Sequence, residues 1–374
     1  MRGQGPGFRV RSPGVKVVIA GGGTGGHLYP GIAIARELLQ EAGTEILFVG
    51  TQHGIEARVL PKEGLPLRCI TVGKLKGMGP LAIIKTVAAL PWSILQSMRI
   101  LREIRPDVVI GVGGYSSGPV GAAALGLRIP LVIIEPNSFA GFANRKLGRY
   151  ADRVVLCFPG TGARRFFPGK SIAMLGPLVR RGIDQGDRST ALAGFGLEQG
   201  RFTVFVMGGS GGAHAINMAM KQAALLLKDL RNVQILHQTG ENDVDEMIAG
   251  YTDAGVRAAV LPFIHDMAGA YAAADLVISR SGATTVAELA VCNKRAVLIP
   301  FPYAADNHQE HNARTLAERG SADVIVQKDL TPDLLARAIR KQVSSGTGAS
   351  SAAPMENSAA TEIARICKTY VQKN

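Results

Sequence analysis

Asp275-Leu-Val-Ile-Ser-Arg-Ser-Gly-Ala-Thr-Thr-Val-Ala-Glu-Leu-Ala290 is the stretch on which the fold of this chain turns. Leu276–Ile278 is a short apolar run of the kind that forms a strand buried on both faces of a parallel sheet. Residues 279–283 are mostly small and suit a tight turn, and Thr284–Ala290 reads as the start of a helix. The first turn of such a helix carries unpaired backbone N–H groups and the positive end of the peptide dipole, so it attracts an anion. Glu288 follows Thr284 by four residues and lies one turn deeper on nearly the same face. A phosphate at the helix start would therefore set a vicinal diol against Glu288, which describes a nucleotide. Glu288 placed only to compensate the dipole is the plainer alternative.

With 374 residues the chain has room for two domains, and at 47% hydrophobic it can bury sizeable cores. Cys69, Cys157, Cys292 and Cys367 are scattered without a Cys-x-x-Cys pair, which points to a reducing compartment and away from disulfides or structural zinc. The basic, Gly/Pro-rich start is followed by no long apolar run, so no secretory signal is expected. Charge is lopsided. Residues 1–180 hold 23 Lys and Arg against 9 Asp and Glu, a surplus of 14, whereas the remaining 19 basic and 20 acidic residues leave a deficit of one. One half thus faces an anionic partner. Aromatics are 5% and no nucleic-acid motif is present, so a membrane surface or a phosphorylated substrate is favoured over nucleic acid.

Outward from the opening stretch, the same strand–loop–helix unit recurs. Val15–Ala20 is a strand running into Gly21-Gly22-Gly23-Thr24-Gly25-Gly26-His27, with a helix expected over Pro30–Leu39. Gly21, Gly23 and Gly26 match the dinucleotide fingerprint, but the next strand, Ile46–Val49, ends in Gly50-Thr51-Gln52 and lacks the acid that a nicotinamide site requires. Val108–Val112 opens into Gly113-Gly114-Tyr115-Ser116-Ser117, and Leu131–Ile134 ends in Glu135-Pro136-Asn137. Polar groups at these strand ends face the usual ligand crevice, although Glu135 and Asn137 could equally hold loop backbone. Val154–Cys157 is a further strand and 175–181 a linker. The second half repeats the pattern: strand Phe202–Met207, loop 208–212 with Ser210, helix Ala213–Leu227, strands Val233–His237 and Ala258–Leu261, and strand Ala296–Ile299 after the opening stretch. Two alternating strand–helix arrays predict an α/β protein of two Rossmann-like domains with parallel sheets across a deep cleft.

Leu81–Leu101 is apolar and flanked by Lys74, Lys76, Arg99, Arg102 and Arg105. Lys85 and Pro91 interrupt it, which argues against a membrane span. It reads either as one or two core helices or as an apolar patch with a basic rim resting on a membrane surface.

Taken together, these motifs resemble the MurG family of bacterial N-acetylglucosaminyltransferases. Residues 22–30 and 113–119 look like its two N-domain glycine loops, 208–213 its third, 280–288 its donor helix, and 306–313, with Gln309 and Asn312, its last motif. The resemblance implies a metal- and cofactor-independent, inverting glycosyltransferase of the B type. Its activity would be transfer of N-acetylglucosamine from UDP-N-acetylglucosamine to the 4-hydroxyl of lipid I (undecaprenyl-pyrophosphoryl-MurNAc-pentapeptide), giving lipid II for peptidoglycan on the cytoplasmic side of the anionic inner membrane. It implies an acceptor and membrane domain over 1–179, with the last helix, 359–370, packing back onto it, and a donor domain over 180–354. By motif, Glu288 resembles the ribose acid and Ile264 the uracil contact. Ser210, Ala283, Thr284 and Thr285, extended through Val286 and Ala287, resemble the diphosphate cradle. His308 and Gln309 resemble the sugar contacts, and Asn137 and Arg180 donor contacts from across the cleft. Thr24, Gly25 and Gly26 resemble the loop between sugar and acceptor pyrophosphate, and Gly22, Gly23, Gly113, Gly114, Tyr115, Ser116 and Ser117 the acceptor loops. The family usually has His-Glu-Gln-Asn at 134–137, where this chain has Ile134 and Pro136, and often Gln at Gly211.

Inversion requires a base for the acceptor hydroxyl and stabilisation of the leaving diphosphate. Helix starts and Arg180 are expected to supply the second. His27, beside a glycine loop and neutral at pH 7, is the candidate base; holding the loop or binding pyrophosphate is its alternative role. Asp306, His308 and His311 lack metal-ligand spacing, and His265 and Asp266 suit a helix cap. The rival enzymes are a UDP-N-acetylglucosamine 2-epimerase, which needs no basic apolar face, and a diacylglycerol glucosyltransferase, whose acceptor has no pyrophosphate to occupy the glycine loops. A non-catalytic nucleotide-binding module is the rival of another class.

Overall fold

The computed structural model describes residues 14–72, 80–158, 161–209, 211–346 and 352–371, with the side chains of 80–88, 161 and 162 excepted. Lys74, Lys76 and Ser210, and the side chain of Lys85, lie outside that set.

Thirteen strands form two sheets among the described residues. The first contains β1 (Lys16–Gly21), β2 (Glu45–Gly50), β3 (Leu67–Cys69), β4 (Val108–Gly113), β5 (Leu131–Glu135), β6 (Arg153–Leu156) and β7 (Ile172–Met174). The second contains β8 (Phe202–Met207), β9 (Val233–Gln238), β10 (Ala258–Leu261), β11 (Leu276–Ser279), β12 (Ala296–Leu298) and β13 (Ala322–Val324). Their orders are β3-β2-β1-β4-β5-β6-β7 and β10-β9-β8-β11-β12-β13, and every pairing is parallel. Each sheet is therefore doubly wound, as the alternating pattern predicts. The strand order reverses between β1 and β4 in one and between β8 and β11 in the other, and ligand crevices open beyond the carboxyl ends at such points.

The central strands carry no polar alternation because helices cover both faces. All six residues of β4 are buried, as are all six of β9. The sequence reading locates these strands and misses β3, β7 and β13. All three are three-residue strands at sheet edges, too short to show a hydrophobic period. The first helix, Gly25–Leu38, starts five residues before the expected Pro30 and runs through it. Leu28, buried completely against the sheet, secures the added turn. The apolar run after residue 80 forms one helix, Pro80–Ile104, and Pro91 does not end it. No described helix is long and apolar enough to cross a membrane.

Residues 175–187, without helix or strand, and helix Arg188–Gly194 lead from β7 towards β8, and the chain returns at its end. Helix Ala359–Lys368 packs on helix Gly25–Leu38. Thr361 donates to Glu37 (3.0 Å), Lys368 pairs with Glu41, and Ile363 and Cys367 are fully buried there.

Candidate active site

Both switch points open onto one cleft of about 2170 Å³. On the first sheet its wall begins at a register irregularity after Ala20 that sets Gly21 beside Gly113. The two loops that leave those strands interlock. A Cβ on Gly114 would lie 2.1 Å from the Gly22 carbonyl oxygen, and one on Gly23 would lie 3.0 Å from the Tyr115 ring. Gly23 and Gly114 have φ of +80° and +84°, so both positions need glycine on backbone grounds as well. Beneath the loop lies Glu56, which is 1% exposed. It accepts from Gly23 N–H and from the N–H and hydroxyl of Thr51, all at 2.8 Å. Motif matching does not single out Glu56. A carboxylate of the protein itself thus occupies the space under the fingerprint loop.

Helices Gly25–Leu38, His214–Leu226 and Ala283–Val291 all start at this cleft, and none has a side-chain cap. In contrast, Arg188–Gly194, Met267–Ala273 and Pro332–Ser345 are capped by Asp187, Asp266 and Thr331. Uncapped starts leave N–H donors and the dipole's positive end for an anion. Asp266 thereby fills the capping role expected of it, with Gly269 N–H at 2.8 Å. Thr284 and Gly26 bring the facing starts together: the Thr284 hydroxyl is 3.5 Å from the Gly25 carbonyl, and a Cβ on Gly26 would be 3.9 Å from that of Ala283.

Of the donor-helix candidates, Ala283, Thr284, Thr285 and Glu288 line the cleft. Val286 and Ala287 point into the core instead (0% and 3% exposed), because the apolar face of the helix must cover the sheet. Glu288 is 3% exposed; Tyr271 donates to one oxygen (2.9 Å) and Arg180 pairs with the other (3.3 Å). Burial raises its carboxyl above the usual range, and Arg180 works against that rise. The Arg180 guanidinium also lies 5.5 Å from the centre of the Tyr29 ring, so one side chain links the linker, the first helix and the donor helix. Arg180 is thus held by Glu288 at the edge of the cleft, which it also lines. Ile264 N–H is taken by Gln238 (2.8 Å), whose amide also donates to the Gly209 carbonyl (2.8 Å). The motifs do not single out Gln238, although the rule that polar residues at strand ends face the crevice applies to it.

His27 lies half-buried against Gly113, with Nδ1 3.1 Å from the Thr24 hydroxyl. Desolvation, and then His308 across the cleft, lower its imidazole to about 4. Ser117 is fully buried. Its hydroxyl donates to the Ala20 carbonyl (2.6 Å) and accepts from Gly113 N–H (2.9 Å), tying β1 to β4. The Ser116 hydroxyl is buried as well, so neither hydroxyl reaches the cleft, whereas Tyr115 does. Glu135 accepts from the Asn137 and Gly141 N–H groups (each 2.9 Å) and from the Asn144 amide (2.9 Å), and so holds the loop after β5.

That loop meets the start of helix His308–Glu318. Asn312, 1% exposed, accepts from the N–H and hydroxyl of Ser138 (3.0 Å each) and donates to Asn137 (3.1 Å) and to the Ser281 carbonyl (3.2 Å). Phe139 stacks on His311 at 4.9 Å, and Arg145 pairs with Asp306 at 3.3 Å. Asp306 and Asn307 both take left-handed φ of 52°, a turn that these two residue types tolerate. Gln309 and His308 line the cleft; Gln309 accepts from Phe301 N–H (3.0 Å), and His308 Nδ1 lies 2.7 Å from the Ala305 carbonyl. Arg280, by contrast, is committed to the carbonyls of Ile299 and Pro300 and to Gln327. No group of three or more His, Cys, Asp or Glu able to hold a metal ion occurs among the described residues.

Comparison with known proteins follows the same outline. Residues 17–156 match the glycosyltransferase family 28 N-terminal domain and 203–370 the glycosyltransferase family 28 C-terminal domain. Over 330 residues the chain is 48% identical to the UDP-N-acetylglucosamine–N-acetylmuramyl-(pentapeptide) pyrophosphoryl-undecaprenol N-acetylglucosamine transferase of Myxococcus xanthus, covering 87% of this chain and 84% of that one. The protein of the same name from Geobacter sulfurreducens is 46% identical, with coverage of 87% and 89%. Among solved structures, Acinetobacter baumannii MurG superposes with a TM-score of 0.73 at 32% identity, covering 95% of this chain and 99% of that one.

Proposed function

The chain belongs to the MurG family of glycosyltransferases, and on that premise we propose that it transfers N-acetylglucosamine from UDP-N-acetylglucosamine to the 4-hydroxyl of lipid I, forming lipid II. The observation that carries the reading is the opposition of two uncapped helix starts, Gly25 and Ala283, across one cleft, with Glu288 a turn behind the second. The start of helix Ala283–Val291 holds the donor diphosphate, and Glu288 the ribose diol. Ile264 and Gln238 lie at the uracil end.

Arg180 and the ribose compete for the same carboxylate. Donor binding frees the guanidinium to meet the negative charge that develops on the departing diphosphate. In the reaction the acceptor oxygen bonds to the anomeric carbon while the bond from that carbon to the diphosphate oxygen breaks, and the acceptor proton passes to His27 Nε2. In the tautomer with the proton on Nδ1, Thr24 accepts it and Nε2 is left with the free lone pair. An imidazole at about 4 is neutral but a weak base. The anionic diphosphates beside it in the complex raise it toward the range useful for proton transfer.

The acceptor's lipid requires a membrane face, and helix Pro80–Ile104 supplies it. Trp92 and Leu95 are 61% and 56% exposed, with Arg99 and Arg102 on the same exposed side. Leu90 and Ile94, on another side of the same helix, line the cleft, so one helix borders both the exposed apolar face and the reaction centre. Such a face binds anionic lipid peripherally, with the chain on the cytoplasmic side. The first domain, with the terminal helix, is then the acceptor lobe and 180–354 the donor lobe. The test is transfer of labelled sugar from UDP-N-acetylglucosamine to a short-chain lipid I analogue. Donor binding with no transfer to any acceptor would refute the reading.

A further inference from the structure

Glu56 stands apart from every group the mechanism uses. It is buried, carries a potential charge, and makes all its described hydrogen bonds within the wall of the acceptor lobe. Three glycines from two segments make room for it. A Cβ on Gly22, Gly50 or Gly54 would lie within 2.2–2.5 Å of its side chain. One carboxylate oxygen takes Thr51, at the end of β2, and the other takes Gly23 N–H. The Tyr115 ring also packs on Gly23. Gly23 is therefore held by a carboxylate at its N–H and packed by a ring, in a backbone conformation (φ +80°) that favours glycine. Thr24 follows directly, and Thr24 is the hydrogen-bond partner of His27 Nδ1.

We propose that Glu56 is a positioning residue for sugar transfer: by holding Gly23 it sets Thr24, and through Thr24 the orientation of His27. This rests on the reading of His27 and its loop given above. The side chain acts by geometry and not by its charge. Misplacement of a reacting group by about 1 Å costs on the order of 10²-fold in rate. No donor-lobe residue takes part in the clamp, so affinity for UDP, which lacks the sugar, is expected to change little.

The substitutions Glu56→Asp and Glu56→Gln separate geometry from charge. Aspartate keeps the charge but is one methylene shorter and cannot span Thr51 and Gly23 together. Glutamine can turn its amide oxygen to Gly23 N–H and its NH₂ group to the Thr51 hydroxyl, keeping two of the three bonds without the charge. Turnover with UDP-N-acetylglucosamine and a short-chain lipid I analogue, UDP affinity, and thermal unfolding are measured on the wild type, both variants and Glu56→Ala. The expected result is a fall in turnover of about 10²-fold for Asp and Ala, a fall of less than about tenfold for Gln, and UDP affinity within about twofold throughout. A charge role would invert the order, with Asp active and Gln not, and would overturn the proposal. So would turnover that falls only in step with stability and UDP affinity, or unchanged turnover in both Asp and Ala. Should Ala fail to fold, the Asp and Gln pair still decides. Failure of the wild type to transfer sugar would instead refute the proposed function.

Discussion

Replacing Glu288 by Gln tests the donor site at its most specific point. Hydrogen bonds from ribose hydroxyls to a carboxylate contribute about 1.5–3 kcal/mol relative to leaving both partners in water. Here part of that gain is already committed, since Arg180 occupies one oxygen at 3.3 Å and must yield to the sugar. The Arg180 side chain is 44% exposed, so the pair it gives up is worth no more than about 1 kcal/mol. The net loss on substitution is about 0.5–2 kcal/mol, or roughly 2–30-fold in donor affinity. Tyr271 can still donate to the amide oxygen, and a buried charge is removed, so the variant should unfold no earlier than the wild type. The assay is calorimetric titration of both proteins with UDP and with 2′,3′-dideoxy-UDP. The wild type should prefer UDP by roughly 2–30-fold, and Glu288→Gln should show a clearly smaller preference. If the variant keeps the full preference, Glu288 does not touch the ribose and the placement of the nucleotide is wrong.

Three further outcomes are expected. His27→Ala should lower turnover by at least about 10²-fold while UDP affinity stays within about threefold; unchanged turnover would eliminate it as the base. His237 is fully buried between Tyr251 (2.7 Å) and Asn217 (3.1 Å), and burial lowers its imidazole to about 3. The unfolded chain therefore binds the proton first. The stability this neutral ring contributes is complete above about pH 6.5 and is lost as pH falls toward 3, amounting to about 2 kcal/mol lost by pH 5. Urea unfolding at pH 7 and pH 5 should show a loss that His237→Gln makes smaller by about 2 kcal/mol. Trp92→Ser with Leu95→Ser should weaken binding to vesicles containing anionic lipid by at least about tenfold and leave thermal unfolding nearly unchanged, as both side chains are largely exposed. Equal vesicle binding would move the membrane face elsewhere.

The sequence by itself determined the two-sheet architecture, because a strand buried on both faces must be apolar throughout and its loop must be glycine-rich to reach a helix so quickly. Runs such as Ile278 back to Leu276 and Val112 back to Val108 therefore declare themselves, and so does the position of Glu288 one turn into the helix that follows the first of them. Tertiary structure alone decided which of the motif residues face the cleft. Val286 and Ala287 share their helix with Thr284 and Glu288 but cover the sheet, and Ser117 spends its hydroxyl on the Ala20 carbonyl. It also decided the partners that no local pattern encodes. Glu56 reaches Gly23 across 33 residues, Arg180 reaches Glu288 across 108, and Asn312 reaches Ser138 across 174. Local spacing sets helix and strand through short-range sterics. The position of a buried polar group is instead set by the hydrogen-bond donors that the folded chain brings to it, and those come from segments whose separation in sequence carries no information about their distance in space.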